Sequence, residues 1–316
     1  MIIALDVSSI LHSITGIGHY TFNLIKRLGK LDQKNQYRLF SYSWKIRMKN
    51  LQVPQFSNYE YHDIKIPGKL LLNMWRYFRF PTVNRLVGDL DLFHSPNYLY
   101  QPQKRGKTVC TIHDLAFLKF PGYGEKYGGK YFASVLPGTI KHADAVIVDS
   151  EATRNDLVEL VNMNEELVNV IHLGIDPEFA NQKNHDGFNN IKNKLGLGKE
   201  YLLAVTTLEP RKNLDGIIQA MAILKQETNI NIPLVICGGE GWENEEIYNR
   251  VRQLKLESNI RFAGYVEQDL LPELYRHASL TLFPSLYEGF GLPILESMVC
   301  GTPVITSIVS SMPEIA

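Results

Sequence analysis

Two glutamates, Glu288 and Glu296, lie on either side of a glycine-rich turn, with seven residues between them. The turn contains Gly289 and Gly291, it follows an apolar run that predicts a β-strand, and Pro293 fits the first turn of a helix. Free backbone amides at a helix start bind phosphate oxygens, and carboxylates accept hydrogen bonds from paired sugar hydroxyls. The spacing therefore predicts a site that holds two parts of a phosphorylated sugar ligand.

The full string around these glutamates, PSLYEGFGLPILESMVCGTPVI at 284–305, resembles the signature of retaining GT-B glycosyltransferases of the family 4 type. The resemblance implies that Glu288 contacts hydroxyls of the donor hexose and that Glu296 binds the ribose of the nucleotide. It also implies that the backbone amides of Phe290 and Gly291 hold the diphosphate. An ordinary acidic loop followed by a helix is the structural alternative.

A cation pair follows the first predicted strand of the second half, in the segment TLEPRKN at 207–213. Arg211 and Lys212, at the carboxyl end of a strand, are suited to meet a diphosphate and to stabilise the charge that develops as a nucleotide leaves. The family resemblance implies this catalytic role for both side chains. The alternative is a solvated pair beside a helix that Asn213 caps.

Two further segments of the second half resemble nucleotide-binding parts of the same family. The turn VICGGEG at 235–241 contains Gly238 and Gly239, which the resemblance places near the nucleotide. Val266 matches the segment that holds the base through backbone groups. Tight turns also favour glycine, so a purely structural role is the alternative for this pair.

In the first half, GIGHY at 16–20 opens a predicted helix after the apolar run IIALDVSS. A dinucleotide site would place a third glycine at Thr21 and a carboxylate after the next strand, YRLFSY, which ends without one. The resemblance implies instead that Gly16 and Gly18 let the backbone approach the donor phosphate and the acceptor.

Two histidines end apolar runs of the first half. His113, in TIHD, matches the cleft histidine of the resembled family, which implies that it points toward the donor sugar while Asp114 orients its loop. His94, in FHSP, is a candidate for the acceptor pocket, together with Asp114. A histidine in a purely structural role is the alternative for each.

Asp89 and Asp91 have the spacing of a metal-binding motif known from another glycosyltransferase architecture. They precede their predicted strand, at the sheet edge opposite the ligand-binding edge, and we interpret them as part of a solvated turn. We therefore expect no metal and no cofactor, because the nucleotide sugar is a substrate. The three cysteines are far apart and lack the spacing of a zinc site or a disulfide framework.

Strand and helix patterns alternate along the whole chain, which predicts an α/β fold with parallel sheets. Two Rossmann-like domains facing across a cleft, the GT-B architecture, are expected: an acceptor-side domain at 1–176, a polar linker at 177–199 and a nucleotide-sugar-binding domain at 200–316. The chain ends where another helix begins in the pattern, so we expect the second domain to be incomplete. The predicted strands are Ile2–Val7, Tyr37–Tyr42, Leu92–His94, Thr108–Ile112, Ala145–Val148, Asn169–His172, Tyr201–Thr206, Leu234–Cys237, Ile260–Phe262, Leu280–Phe283 and Pro303–Ile305.

The chain has as many basic as acidic residues, but the two signs are unevenly distributed. Residues 1–180 carry 21 basic and 17 acidic side chains, a net charge of +4, which leaves −4 for the remainder. An excess of positive charge suits an anionic acceptor or membrane surface. The aromatic and basic segment at 70–81 predicts a packing helix on the acceptor side, with contact to a bilayer as the alternative.

These patterns predict transfer of a hexose, with mannose as the first choice, from GDP-mannose or another nucleoside diphosphate sugar to a glycan hydroxyl, with retention. The expected acceptor is a glycan or a lipid-linked oligosaccharide of a bacterial surface polysaccharide such as lipopolysaccharide. No nucleic acid partner is expected. The apolar N-terminus lacks the basic start of a signal peptide, so we expect a cytoplasmic protein, with peripheral contact to the inner membrane face. A GT-B epimerase and a non-catalytic nucleotide-sugar-binding subunit are the alternatives.

Overall fold

The structure, a computed structural model, describes residues 1–11, 16–48, 53–120, 129–181, 186–228, 230–239, 241 and 244–316. These residues form two compact units. The first unit comprises Met1–Asp149 and Thr153–Ile171, and the second comprises Ser150–Ala152 and His172–Ala316.

The first unit contains a sheet of seven parallel strands in the order β3-β2-β1-β4-β5-β6-β7. Side chains alternate between the two faces of the sheet. Leu5 and Leu39 pack in the core cluster of helix α1, whereas Ala4 and Phe40 pack in the cluster of helix α2. The strands are β1 Ile2–Asp6, β2 Gln36–Tyr42, β3 Tyr59–Ile64, β4 Leu92–Ser95, β5 Lys107–Ile112, β6 Ala145–Val148 and β7 Val168–Val170. The helices are α1 Gly16–Leu31, α2 Gly68–Phe78, α3 Val83–Val87, α4 Ala116–Lys119, α5 Gly129–His142 and α6 Glu151–Val161, which belongs to this unit from Thr153 onward.

Strand β3 and helix α5 were not predicted from the sequence. Strand β3 has the sequence YEYHDI, is only partly buried and pairs with β2 alone at the sheet edge, so its apolar signal is weak. Helix α5 contains Pro137 in its interior, and proline normally ends a helix pattern. Tertiary packing of Leu136 and Thr139, both buried, stabilises the helix in spite of the proline.

The second unit contains five parallel strands in the order β10-β9-β8-β11-β12. All five were predicted, with boundaries that differ by at most two residues, and the α/β class with parallel sheets is confirmed. The strands are β8 Leu202–Val205, β9 Leu234–Cys237, β10 Ile260–Gly264, β11 Leu280–Phe283 and β12 Val304–Thr306. The helices are α7 Asp186–Lys194, α8 Leu214–Glu227, α9 Asn244–Gln253, α10 Leu271–His277, α11 Leu292–Val299 and α12 Met312–Ile315.

The stretch predicted as a linker at 177–199 is structured where it is described. It contains a short 3-10 helix at Pro177–Phe179 and helix α7, while residues 182–185 lie outside the described ranges. Phe179 and Phe188 are buried in a core cluster of the second unit, and Phe188 stacks on His277 with 4.3 Å between the ring centroids. The polar composition suggested a linker because these few apolar residues are widely spaced.

Each sheet has a point at which the chain reverses the direction in which strands are added. In the first unit this point lies between β1 and β4, and in the second it lies between β8 and β11. Loops that leave neighbouring parallel strands at such a point separate and leave a crevice at the carboxyl ends of the strands. The predicted site residues of the second unit follow β8, β9, β10 and β11, at this edge.

Replacing Phe188 with alanine tests whether the 186–194 helix is part of the second unit. Removing a buried phenylalanine leaves a cavity, so Phe188→Ala should lower the free energy of unfolding by about 3 kcal/mol. Phe78→Ala makes the same substitution at a position that is 76% exposed and should have little effect. Urea denaturation of both variants measures the difference, and equal stability would contradict this packing.

Candidate active site

A buried ion cluster joins the loops that follow β8 and β11. Both oxygens of the Glu288 carboxylate accept hydrogen bonds from cations: Oε1 from Lys212 Nζ at 2.6 Å and Oε2 from Arg211 Nη1 at 2.8 Å. Arg211 Nε donates to Glu209 Oε2 at 2.9 Å. The three residues predicted to contact the donor hexose and diphosphate therefore contact one another directly. Glu209 is a fourth residue of this cluster and was not predicted from the sequence.

The charges of this cluster determine its protonation. Burial alone disfavours the charged form of Glu288, but the neighbouring Lys212 and Arg211 outweigh it and lower the pKa of the carboxyl to about 2. Burial lowers the pKa of Lys212, an effect that the Glu288 charge partly offsets. The cluster thus joins two basic side chains to two carboxyl groups. An arriving anion would compete with the carboxylates for the two cations.

Two serines near the end of the second unit fix the Glu288 loop. Ser310 Oγ donates to the Glu288 carbonyl oxygen at 2.6 Å, and Ser311 Oγ donates to the same oxygen at 3.0 Å. The backbone amide of Leu286 donates to the Arg211 carbonyl oxygen at 2.8 Å, which connects the two motif loops directly. Neither serine was predicted, because their positions, 22 and 23 residues after Glu288, follow no local pattern.

The glycine-rich turn ends at the start of helix α11. Gly291 is the N-cap residue, with φ +131° and no side-chain cap, and Pro293 lies in the first turn as predicted. Within the described ranges, the amides of Phe290 and Gly291 have no hydrogen-bond acceptor. Gly289 lies in the same turn. A helix start with open amides beside a cation pair can bind a phosphate group, although the diphosphate contact stays a prediction.

Glu296 lies in the second turn of α11 and accepts a hydrogen bond from the Tyr275 hydroxyl at 2.8 Å. Burial raises the pKa of Glu296 to about 7, and this hydrogen bond opposes the rise only in part. Tyr275 is fully buried in helix α10. The ribose contact of Glu296 stays a prediction, and Tyr275 is a partner that no local sequence pattern indicates.

The turn after β9 requires glycine for steric reasons. An added Cβ at Gly238 would lie 1.9 Å from the carbonyl oxygen of Thr206, and its φ is +150°. A Cβ at Gly239 would meet no atom within 4 Å, so this position has open space next to it. Val266, after β10, is buried, whereas the neighbouring Tyr265 is exposed. Glu240 of the same motif lies outside the described residues, and the nucleotide contacts of Gly238, Gly239 and Val266 stay predictions.

In the first unit, the partly buried His113 forms a close pair with the buried Asp149. Its Nδ1 lies 2.7 Å from Asp149 Oδ2, its Nε2 lies 3.2 Å from the Pro96 carbonyl oxygen, and Tyr20 packs against the ring edge-to-face. Burial would lower the pKa of His113, but Asp149 outweighs it and the pKa is raised. His113 directly follows β5 and Asp149 directly follows β6, and these two strands are neighbours in the sheet. The pair could therefore have been predicted from the ends of adjacent strands.

Asp114 and His94 have structural partners of their own. Asp114 Oδ1 accepts hydrogen bonds from the Tyr98 hydroxyl at 3.1 Å and from the Ala116 amide at 2.9 Å. His94 is buried beside Thr111, with 2.9 Å between His94 Nε2 and the threonine hydroxyl. Burial lowers the pKa of His94 to about 4. An acceptor contact for either residue stays a prediction.

The two glycines predicted for the donor side lie at the start of α1. Gly16 is the first residue of the helix and is exposed, with open space where a Cβ would be, and Gly18 is buried in the first turn. The ligand contacts of Gly16 and Gly18 stay predictions.

No cluster of metal-binding side chains is present within the described ranges. Asp91 Oδ2 accepts a hydrogen bond from the Ile2 amide at 2.7 Å, at the beginning of β1, and the Asp89 carbonyl oxygen accepts one from Arg38. Both aspartates are exposed at the amino-terminal edge of the sheet, away from the strand ends that bind ligands.

Two protein-family models match the two halves of the chain. The family model Glycosyltransferase Family 4 matches residues 14–179, and the model Glycosyl transferases group 1 matches residues 187–316. The O-antigen chain mannosyltransferase B of Escherichia coli is 31% identical over 96% of this chain and 81% of its own length. The chain belongs to glycosyltransferase family 4.

Two other proteins similar to this family 4 glycosyltransferase extend the comparison. The serotype-specific mannosyltransferase WbdA of Escherichia coli is 32% identical over 66% of this chain, but the match spans only 26% of WbdA. The structure of Anabaena HepE in complex with UDP and glucose aligns with a TM-score of 0.69 at 18% identity, covering 100% of this chain and 83% of HepE. This similarity shows the GT-B fold, which confirms the predicted architecture.

The raised pKa of Glu296 predicts a stability effect that depends on pH. Between the ordinary value near 4.5 and the folded value of about 7, the folded chain binds more protons than the unfolded chain, so this group contributes less stability as the pH rises through that window. Glu296→Gln has no titrating group at this position. As the pH rises from 4 to 8, the free energy of unfolding of this variant should therefore increase by about 3 kcal/mol relative to that of the wild type. Urea unfolding measures the gain, with exposed Glu227→Gln as the baseline. A pH-independent difference would contradict the burial of an ionisable Glu296.

Proposed function

We propose that this glycosyltransferase moves a hexose, with mannose as the first choice, from a nucleoside diphosphate sugar to a glycan hydroxyl in bacterial surface polysaccharide synthesis, with retention. The buried contact of Glu288 with Arg211 and Lys212, beside open helix amides, carries the proposal. It offers one carboxylate for sugar hydroxyls and two cations for a diphosphate. The similarity to two mannosyltransferases supports mannose, and GDP-mannose is the donor we propose.

In the proposed complex, the donor exchanges partners with the ion cluster. The diphosphate takes hydrogen bonds from Arg211, Lys212 and the amides of Phe290 and Gly291. Glu288, released from part of its ion pairing, accepts hydrogen bonds from hexose hydroxyls. Glu296 would hold the ribose.

The remaining donor and acceptor contacts complete the proposal. Gly238 and Gly239 would leave room for the nucleotide, and the backbone at Val266 would hold the base. Within the first unit, the absence of a side chain at Gly16 would let the diphosphate approach the backbone. His113, aligned by Asp149, would donate a hydrogen bond to the donor sugar.

The proposed reaction needs no group beyond the substrates and these side chains. The bond between the anomeric carbon and the diphosphate oxygen breaks, and the acceptor oxygen bonds to the anomeric carbon on the same face. The acceptor's proton passes to an oxygen of the leaving phosphate. Arg211 and Lys212 stabilise the negative charge that grows on this leaving group, which lowers the barrier because the interaction is strongest in the transition state.

Incubating the protein with GDP-mannose and a mannose-terminated oligosaccharide tests the function directly. The expected product is an α-linked mannoside, because GDP-mannose is an α-glycoside, and its anomeric configuration is measured by NMR. Activity should persist in EDTA, since we assign the diphosphate to cations and amides. A β-linked product, an epimerised sugar formed without acceptor, or EDTA inhibition that Mg²⁺ reverses would each contradict a part of the proposal.

Replacing Lys212 tests the assignment of the cation pair. Lys212→Ala removes a charged contact to the leaving diphosphate, which should cost about 2–4 kcal/mol of transition-state stabilisation, or about 30- to 1000-fold in kcat/KM. Lys199→Ala changes an exposed lysine of the same unit and is the matched control. Circular dichroism establishes that both variants are folded. Near-normal kcat/KM for Lys212→Ala would show that this lysine does not serve the leaving group.

We further propose that the protein works in the cytoplasm, at the inner face of the membrane. No helix within the described ranges is long and apolar enough to cross a bilayer. The end of helix α2 exposes Tyr77, Phe78 and Phe80 next to Arg76 and Arg79. Aromatic rings beside cations favour the interface of an anionic bilayer.

Co-sedimentation with vesicles tests this contact. The wild type should bind vesicles that contain phosphatidylglycerol more tightly than vesicles of phosphatidylcholine alone, and Phe78→Ser should weaken the binding several-fold. Leu31→Ser, at the exposed end of α1, is the matched control and should bind like the wild type. Equal binding by all three proteins, or binding by none, would contradict a membrane contact at this surface.

A further inference from the structure

A pocket of about 880 Å³ lies within the first unit, at the carboxyl ends of strands β1, β2 and β4. Asp6 belongs to its lining from β1, Trp44 and Lys45 from the loop after β2, and Asn97 from the loop after β4. The first turn of helix α2, with Lys69, completes the wall. None of the residues assigned to the donor lines this pocket.

The position of the pocket follows from the strand order. Strands β1 and β4 are neighbours at the point where the direction of strand addition reverses, and their loops leave on opposite sides of the sheet. Asp6 ends β1, and Asn97 lies just beyond β4. Open parallel sheets bind ligands in this crevice, which makes it the place in the first unit where a ligand is expected.

The inner end of the pocket has polar groups that suit hydroxyls. Asp6 is buried there, and its carboxylate accepts hydrogen bonds from the Ser8 amide at 2.8 Å and from the Gln101 side chain. The side chains of Ser8 and Tyr42 also hydrogen-bond to Asp6, so its acceptor positions are occupied and it holds the loop after β1 in place. The Ser43 hydroxyl and the Asn97 side-chain amide also line the pocket, and within the described ranges neither donates its hydrogens to an acceptor. The hydroxyl oxygens of a sugar can accept hydrogen bonds from these two donors, which an apolar ligand would leave unsatisfied.

The outer end of the pocket combines an aromatic ring with two cations. Trp44 is 65% exposed although it lines the pocket, so much of its indole is available to the apolar face of a sugar ring. Lys45 and Lys69 are exposed on either side, and no carboxylate within the described ranges forms a salt bridge with either ammonium. Two such cations at the mouth attract an anion, as does the start of helix α2.

We infer that this pocket binds a sugar of the acceptor that carries an anionic group, either a phosphate or a carboxylate. The sugar hydroxyls meet Ser43 and Asn97, the ring packs on Trp44, and the anion meets Lys45 and Lys69. This inference rests on the proposed glycosyl transfer, because the acceptor needs a site separate from the donor cluster of the second unit. It makes the two lysines determinants of acceptor choice.

Isothermal titration calorimetry of the whole chain tests the pocket with defined probes. Mannose 1-phosphate, mannuronic acid and methyl mannoside present the same ring with a phosphate, a carboxylate or no charge. One of the charged probes should bind at least about 5-fold more tightly than methyl mannoside, because each contact to a charged group contributes more than a neutral one. The preferred charged probe distinguishes phosphate from carboxylate.

Three variants separate this pocket from other surfaces. Trp44→Ala should weaken all three probes, whereas Lys69→Ala should weaken only the charged ones, about 5-fold or more. Lys30→Ala, at the exposed end of α1 and near the opposite edge of the sheet, is the matched control and should change nothing. GDP-mannose binding should be unaffected in every variant, which also shows that the variants are folded.

Any one of three results would overturn the inference. The charged and neutral probes bind equally well, Trp44→Ala and Lys69→Ala leave the binding unchanged, or no probe binds. Failure of the proposed function is seen separately, as normal binding of the charged probe in a protein that transfers no mannose. Loss of charged-probe binding with mannosyl transfer intact would show the reverse, that the function holds and this pocket is not the acceptor site.

Discussion

The candidate site depends on the contact between the Glu288 carboxylate and the cations of Arg211 and Lys212. A buried carboxylate without such partners would take up a proton, because burial disfavours its charge. The contact is possible only because β8 and β11 are adjacent and parallel, with Leu280 paired to Leu202, so that the loops after both strands leave the same edge of the sheet. The contact between residues 211, 212 and 288 thus follows from the strand order of the second unit.

The same contact explains how a neutral cluster can serve an anionic ligand. The cations are held in place before any ligand binds, which reduces the reorganisation needed when charge develops. The carboxylate that holds them is also a hydrogen-bond acceptor, so releasing it from the cations makes it available for another partner. Hydrogen bonds from Ser310 and Ser311 hold the Glu288 carbonyl, which lets the side chain change partners while the loop keeps its shape.

Sequence patterns predicted the features whose causes are local. The turn at Gly291, the position of Pro293 and the strands of the second unit were all predicted, because each depends on a few consecutive residues. Strand β3 and helix α5 were missed, since pairing with β2 and packing of Leu136 stabilise them against weak or contrary local signals. Asp149 and Tyr275 were missed for a related reason. Their partners are 36 and 21 residues away, and only the fold brings each pair together.

The most direct test of the central contact compares the binding of GDP-mannose and GDP to Glu288→Gln. The amide keeps the shape of the side chain, but it removes the charge that the two cations neutralise and replaces one of the two acceptor oxygens with an NH2 donor. The account predicts that GDP-mannose binds at least about tenfold more weakly, while GDP binds as well as before or more tightly because its phosphates meet less competition. An equal loss of affinity for both ligands, measured by calorimetry on folded protein, would contradict a sugar-facing role for Glu288.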